Sequence, residues 1–483
     1  MNRRNQPIFA VCTSPVRAPL HVQRVSGHGA LAAISPFLTD ISAGRALLPE
    51  KWPPHTAVPR TLHTRLINHT GETLDNVLIT GFASPHSFTG EDVFEISSHG
   101  NPIILSRIQS FFRQIGFTDA LPGEFTQRAF LNGKMDLTEA EAIHELINAR
   151  SSNAIKIAQG AAHGSIAKEV KQLREKLLTM MAYLEAHIDF DESDVGTFLP
   201  STLVKDAEEL YQALQKLAQT YDSSSCARNG VKVCITGRPN AGKSTIFNTL
   251  LKKERAIVTE IAGTTRDVIE DHFLFRNRDF VFQDTAGLRL SQDKVEQLGI
   301  ERSFKSVAAA DVICLLVDAS LDSSSESARN NFFEVFEEIR NIIESKVLII
   351  AVAKSDITPQ LCIQSVLDAA ANAAVANPLS VSLSVSRENP DALLEALCAA
   401  HDQCANSGIF DLPAVLISTR QRDCVLRAAE YAQQATLALE SQQFPESVAS
   451  LLCATKNEIE DIVGVVTPSD VLEKLFSHFC IGK

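Results

Sequence analysis

The chain has 483 residues, enough for two to four domains with separate cores. It carries 45 Lys and Arg against 58 Asp and Glu, a net charge of −13 with no dense basic run, which excludes a protein that grips nucleic acid by phosphate neutralisation alone. The ten cysteines include no Cys-x-x-Cys pair, so they suggest neither a zinc site nor a disulfide framework and fit a reducing compartment; no apolar run is long enough to span a membrane.

In chain order, the first stretches that stand out are Gln23-Arg-Val-Ser-Gly27, Ser87-Phe-Thr-Gly-Glu-Asp92 and the long Pro122-Gly-Glu-Phe-Thr-Gln-Arg-Ala-Phe-Leu-Asn-Gly-Lys-Met-Asp-Leu137. Helical patterning follows from about Leu137 to Tyr221, with apolar residues three to four apart, as in Ile155-Lys-Ile-Ala158 and Leu173-Arg-Glu-Lys-Leu-Leu178. Ser223-Ser-Ser225 reads as a linker. Between about Val231 and His401 strands and helices alternate, and after a second linker at Asn406-Ser-Gly408 helical patterning returns from about Ser418 to the end. Two helical blocks flanking an α/β block are the sequence form of an inserted domain.

The α/β block opens with Val231-Lys-Val-Cys-Ile-Thr236, a strand that runs into Gly237-Arg-Pro-Asn-Ala-Gly-Lys-Ser-Thr245 and then a helix-forming stretch, Ile246 to Lys253. Strand, Gly-x-x-x-x-Gly-Lys-Ser and helix in that order make the context of a phosphate-binding loop. The glycines let successive N–H groups turn inward, so that Asn240, Ala241, Gly242 and Thr245 line the phosphates. The helix N-terminus adds partial positive charge, Lys243 reaches the outer phosphates and Ser244 offers a hydroxyl to Mg²⁺.

Downstream, Phe280-Val-Phe-Gln-Asp-Thr-Ala-Gly287 gives a second strand ending in Asp-x-x-Gly. Asp284 is placed to hold Mg²⁺ through water, Thr285 and Ala286 form the turn, and the Gly287 N–H senses the γ-phosphate. In the intervening Gly263-Thr-Thr-Arg-Asp267, Thr265 offers a hydroxyl to the same Mg²⁺. A further strand, Val347 to Ala353, leads to Lys354-Ser-Asp356, where Asp356 can accept from guanine N1–H and its N2 amine while the Lys354 stem covers the base. Adenine lacks that donor pair, so the arrangement rejects ATP, by about 10⁴. The order and spacing of these motifs predict a GTPase domain. Leu288 stands where Ras-type enzymes carry a water-orienting Gln, so another group must position the nucleophile. The Asn240 amide oxygen is either a turn feature or a ligand for a monovalent cation beside the phosphates.

Taken with Phe479-Cys-Ile-Gly-Lys483 at the C-terminus, the N-terminal stretches, the phosphate loop and Ile261-Ala-Gly-Thr-Thr-Arg-Asp267 closely resemble the tRNA wobble-uridine modification GTPases of the MnmE (TrmE) family, from Ile8 to Lys483. The resemblance implies a multidomain α/β and α fold. Residues 1–136 would be an N-terminal α+β domain that dimerises and binds 5-formyltetrahydrofolate or a related one-carbon folate. Residues 137–226 and 409–483 would be a helical bundle, with a Ras-like P-loop GTPase domain inserted over 227–408. It implies a homodimer that works with a flavin-dependent MnmG-type partner on the C5 position of the wobble uridine of certain tRNAs, with GTP, Mg²⁺ and K⁺ as ligands. By the same resemblance, K⁺ falls on Asn240, Thr259, the Ile261 backbone and Thr264, and Mg²⁺ on Ser244 and Thr265. The water-positioning acid falls on Glu296, and the folate contacts on Arg24, Glu95, Lys134 and Lys483. Arg and Lys suit the glutamyl carboxylates of a folate, and a carboxylate suits adjacent pterin N–H donors. Cys480 is a buried thiol on the bare reading and, three residues from Lys483, a catalytic candidate in folate chemistry.

The chain departs from the family pattern at Ala353, where Asn usually starts the guanine motif, at Ser384-Val-Ser386, a degraded form of a second guanine-binding loop, and at Ser14-Pro-Val-Arg-Ala-Pro19. Two alternatives stay open. One is a nucleotide-binding scaffold of the same tRNA-modification complex with weakened catalysis. The other is a ribosome-assembly GTPase, which would need a basic RNA-binding module where this chain has an acidic helical tail. Arg3 and Arg4 with a first acidic residue at Asp40 resemble a transit peptide. With the degraded motifs, this leads to an expected place in the mitochondrial matrix, the bacterial cytoplasm being the alternative.

Overall fold

The computed structural model describes residues 6–41, 58–189, 200–238, 240–253, 271–282, 306–318, 326, 330, 333, 336–337, 340, 346–354, 363–369, 380–385, 391–405, 408, 412–441, 444–465, 469–479 and 482. The chain divides into two compact units, one of Met1–His144, Ala162–Tyr211 and Arg427–Lys483, the other of Glu145–Ala161 and Gln212–Leu426.

Alternating burial along its strands builds the first unit's sheet. The elements are β1 (Ile8–Val11), β2 (Leu20–Ser26), α1 (Ala30–Ile34), β3 (Leu38–Thr39), β4 (Arg60–Ile67), β5 (Thr73–Phe82), β6 (Val93–His99), α2 (Pro102–Gln114), β7 (Thr118–Asp119) and α3 (Glu124–Leu131). The seven strands run in the order β3-β4-β5-β6-β2-β1-β7, antiparallel except for the β1–β7 pair. Period-two alternation puts Phe9, Val25, Phe94 and Ile96 on one face, where α2 lays Ile108, Phe111 and Phe112 over them. The Asn101 side chain starts α2 by accepting from the Ile103 N–H at 2.8 Å. Arg24, Ser26 and Glu95 fall on the opposite face of the sheet.

Helices follow at Leu137–Asn148 (α4), Ser152–Ala162 (α5), Ser165–Asp189 (α6), Pro200–Ser223 (α7) and Ser225–Asn229 (α8). The second unit's sheet comes next: β8 (Val231–Gly237), α9 (Lys243–Lys253), β9 (Asp271–Phe275), β10 (Arg278–Phe282), β11 (Val312–Asp318), β12 (Val347–Ala353), β13 (Ser380–Ser384) and α10 (Asp391–Cys404). Its order is β13-β12-β11-β8-β10-β9, parallel throughout except for the β9–β10 hairpin. That hairpin turns on Arg276 and Asn277, both with positive φ, the twist a two-residue turn needs. Every residue of β11 and β12 is buried because both faces are covered. Cys314, Leu316, Ile349 and Ala351 meet Phe247 of α9 and Leu397 of α10, while Ile313, Leu315, Leu348 and Ile350 meet Val307 and Val366.

The chain closes with α11 (Thr419–Glu440), α12 (Pro445–Val463) and α13 (Ser469–Phe476). In the first unit α6 buries Ile166, Val170, Leu173, Leu177, Met180 and Leu184, a stripe at alternating spacings of four and three, and α12 packs against this helix. Arg174 Nε and Glu460 Oε1 join the two at 2.6 Å. Phe476 and Phe479 pack on Leu137 and Ala140 of α4. Gly123 makes this approach possible: its φ is +66°, and a Cβ there would lie 2.5 Å from the Phe476 carbonyl oxygen. The multidomain α/β and α architecture, with an α+β N-terminal part, a helical part and a P-loop sheet, is the one the sequence predicts.

Candidate functional site

The phosphate loop joins β8 to α9. Gly237 has φ +146°, and a Cβ on it would sit 2.3 Å from the Leu316 carbonyl oxygen of β11, so only glycine lets the strand leave the sheet here. Asn240 has φ 63°, in the left-handed region that Asn tolerates better than most residues. This conformational role accounts for an Asn at that position without any ligand. Ala241 is buried, its N–H donating to the Arg238 carbonyl at 3.2 Å, and the Ile246 N–H donates to the Gly242 carbonyl at 2.9 Å as α9 begins. Ser244 and Thr245 lie in the first turn of α9. Lys243 Nζ folds back over the loop and donates to the carbonyls of Gly237 and Arg238, each at 2.8 Å. Burial lowers its pKa, with no charged neighbour among the described residues offsetting that cost. An anionic phosphate would supply the missing countercharge.

The remaining described motif residues share the same edge of the sheet. β8, β10, β11, β12 and β13 are parallel, so Gly237, Phe282, Asp318, Ala353 and Ser384 all end at their carboxyl side, where open α/β sheets bind ligands. Lys354, with φ 58°, follows β12, and its Nζ contacts Asp318 Oδ2 at 2.5 Å. Asp318 is buried, ending an otherwise apolar strand. Sequence reading passed over this acid; its signal was a lone carboxylate closing the run Val312-Ile-Cys-Leu-Leu-Val317. Ala353 is buried in the same apolar cluster as Ala241. Thr259, Ile261, Thr264, Thr265, Asp284, Thr285, Ala286, Gly287, Glu296 and Asp356 lie outside the described residues.

A second candidate site lies in the first unit. Arg24 and Glu95 are direct partners in the β2–β6 register, and Arg24 Nη2 meets Glu95 Oε1 at 2.7 Å. The Arg24 guanidinium lies 5.5 Å from the Phe88 ring centroid and 6.0 Å from that of Phe125, and its Nη1 donates to the Gly482 carbonyl at 3.4 Å. Cys12 Sγ donates to the same carbonyl at 3.5 Å. The C-terminal segment therefore reaches this face, although Cys480 and Lys483 themselves lie outside the described residues. Lys134 lays its stem along Gly90 and donates from Nζ to the Pro85 carbonyl at 3.0 Å, so it and Arg24 both flank the connection that carries Phe88. Beneath them Ser26 Oγ donates to Glu91 Oε2 at 2.8 Å. Arg128 is clamped between Glu91 and Glu124, at 3.1 Å from each. The partly buried Phe88 ring beside a partly exposed cation and carboxylate suits a flat heteroaromatic ligand that carries both N–H donors and carboxylates.

The family profile described as MnmE helical domain matches residues 137–480, and that described as GTP-binding protein TrmE N-terminus matches residues 7–134. The tRNA modification GTPase MnmE of Aquifex aeolicus is 35% identical over 480 residues, covering 99% of this chain and 100% of the relative. The protein of the same description from Bacteroides thetaiotaomicron is 36% identical over 462 residues, covering 95% of this chain and 96% of the relative.

Proposed function

We propose a cation-dependent GTP hydrolysis switch for this chain, which belongs to the MnmE (TrmE) family of tRNA modification GTPases. It is a GTP hydrolase acting in tRNA modification. The observation that carries the fuller reading is the half-buried Lys243 ammonium, which has only backbone carbonyls as partners among the described residues, at the carboxyl edge of a parallel sheet.

Lys243 and the loop N–H groups hold the β- and γ-phosphates, and Asp356 accepts from the guanine edge. The Asp318 carboxylate holds Lys354 at the base side of the site. Ser244, Thr265 and Asp284 are the residues suited to Mg²⁺. Asn240, Thr259, the Ile261 carbonyl and Thr264 are suited to K⁺ when two GTPase domains of a homodimer meet. Cations held there would supply positive charge against the charge that develops on the transferred phosphoryl group. Glu296 positions the attacking water, because Leu288 has no hydrogen-bonding group to do so.

On the N-terminal face Arg24, Glu95, Lys134 and Lys483 bind a one-carbon folate, with Cys480 close by in sequence to the last of these. A flavin-dependent MnmG-type partner completes the modification of the wobble uridine, and the net charge of −13 gives that partner much of the grip on tRNA. GTP turnover measured in KCl and in NaCl at matched ionic strength tests the switch. Hydrolysis is expected to rise at least ~10-fold in potassium, a fraction of the ~10³–10⁵ that a charge-neutralising group supplies in related enzymes. Equal rates in the two salts would remove the cation cage from the account.

A further inference from the structure

Two cysteines that the nucleotide chemistry does not use meet in the second unit. Cys226 lies in α8, just before β8 opens the sheet, and Cys404 is the last residue of α10, after β13 closes it. The two helices touch, and both thiols are partly buried against the same apolar cluster. Each thiol acts on the other, and Asp311 acts on both. Asp311 stands at the amino end of the sheet, where its carboxylate accepts from the Lys232 N–H at 2.9 Å. The pair therefore sits at the edge opposite the phosphate loop, a strand length away.

Other cysteines of the unit are differently placed. Cys234 and Cys314 are buried within the sheet, and burial pushes the Cys314 thiol up to about 12. Such a thiol is inert. In the pair, by contrast, the neighbouring thiol holds the Cys404 pKa down, while Cys404, burial and Asp311 hold that of Cys226 up. The pair gives up its first proton more readily than its second, the asymmetry of an attacking and a resolving thiol.

We propose that Cys226 and Cys404 are a redox modification site, closed into a reversible disulfide by exchange with a low-molecular-weight disulfide of the glutathione class. Cys404 as thiolate attacks one sulfur of the small disulfide, expels one thiolate and becomes a mixed disulfide. Cys226 gives up its proton to solvent and attacks the Cys404 sulfur, expelling the second thiolate. Two protein thiols are oxidised to one disulfide, the small disulfide is reduced to two thiols, and no further oxidant enters. The bond closes a loop that contains all six strands of the sheet, so it ties the chain just before it enters the sheet and after it leaves it.

The test exposes the full-length chain to oxidised glutathione, blocks remaining thiols with an alkylating agent and analyses non-reduced peptides by mass spectrometry. The peptides bearing Cys226 and Cys404 are expected joined and two hydrogens lighter than their sum, and dithiothreitol should separate them. Cys226→Ser should stall as a glutathione adduct on Cys404. Oxidation should raise the melting temperature of the unsubstituted chain by at least ~5 °C, and that of neither Cys226→Ser nor Cys404→Ser. Alkylation of both thiols under conditions that oxidise the exposed Cys12 and Cys453 would overturn the proposal, whatever the stability of the variants. A joined pair with no rise in melting temperature would overturn the tie on the unit.

Discussion

In the first unit Arg128 is sealed between Glu91 and Glu124, whereas in the second Lys243 rests on the backbone carbonyls of Gly237 and Arg238. Arg128 is buried and Lys243 half-buried. Arg128 is matched by carboxylates, so its charge is spent on holding α3 to the β5–β6 connection. Among the described residues Lys243 is matched only by dipoles, so its charge remains for a ligand. Burial of a charged side chain thus does not by itself mark a functional residue. What separates the two cases is whether the fold supplies the countercharge.

Breaking the matched case should cost the most. Arg128→Ala leaves two buried carboxylates facing each other, and urea unfolding should show a loss of about 3–5 kcal/mol. Replacing the whole group, Arg128→Met with Glu91→Gln and Glu124→Gln, should cost less than the single change because no charge is left stranded. A milder effect of Arg128→Ala than of the triple change would show that the clamp is not what holds this face.

The unmatched case should lose function without losing its fold. Lys243→Ala is expected to lower GTP turnover by at least ~10²-fold, the scale of a lost donor to developing charge. It should leave the melting temperature of the unliganded protein level or slightly higher, since a desolvation cost disappears. A large drop in that melting temperature would put Lys243 in the same class as Arg128.

The smallest expected effect concerns His401, a buried ring in edge contact with Phe280 at 5.4 Å. Burial lowers its pKa from the ordinary value, outweighing the raising effect of Asp402. The folded protein therefore keeps the neutral ring while the unfolded chain takes up a proton first. Its contribution to stability is full above the unfolded pKa of about 6.5 and is lost as pH falls from there to the lowered folded value. His401→Phe should flatten the fall in urea midpoint between pH 7.5 and 5.5. An unchanged slope would assign the acid sensitivity to other groups.

Much of this molecule is legible in the chain itself. The strand-loop-helix at Val231 to Lys253 is written in contiguous residues, because a phosphate loop is local: its glycines and its lysine lie within one turn of each other. Helix α6 and the doubly buried β12 also follow from the sequence, since the apolar pattern records which faces are covered. Family membership came from the long stretch Pro122 to Leu137 and the terminal Cys-Ile-Gly-Lys, again contiguous.

What the sequence could not supply are relations between distant residues. Arg24 and Glu95 are 71 positions apart and pair only because the β2–β6 register sets them opposite each other. Asp318 is one acid at the end of a strand until the parallel order of β11 and β12 brings it to Lys354. Gly123 becomes a constrained position only when the Phe476 carbonyl closes on it, and Cys226 and Cys404 become a pair only when α8 and α10 pack together. Local propensity fixes what each segment becomes; register and close approach, which depend on the whole chain having folded, decide which charges and thiols meet.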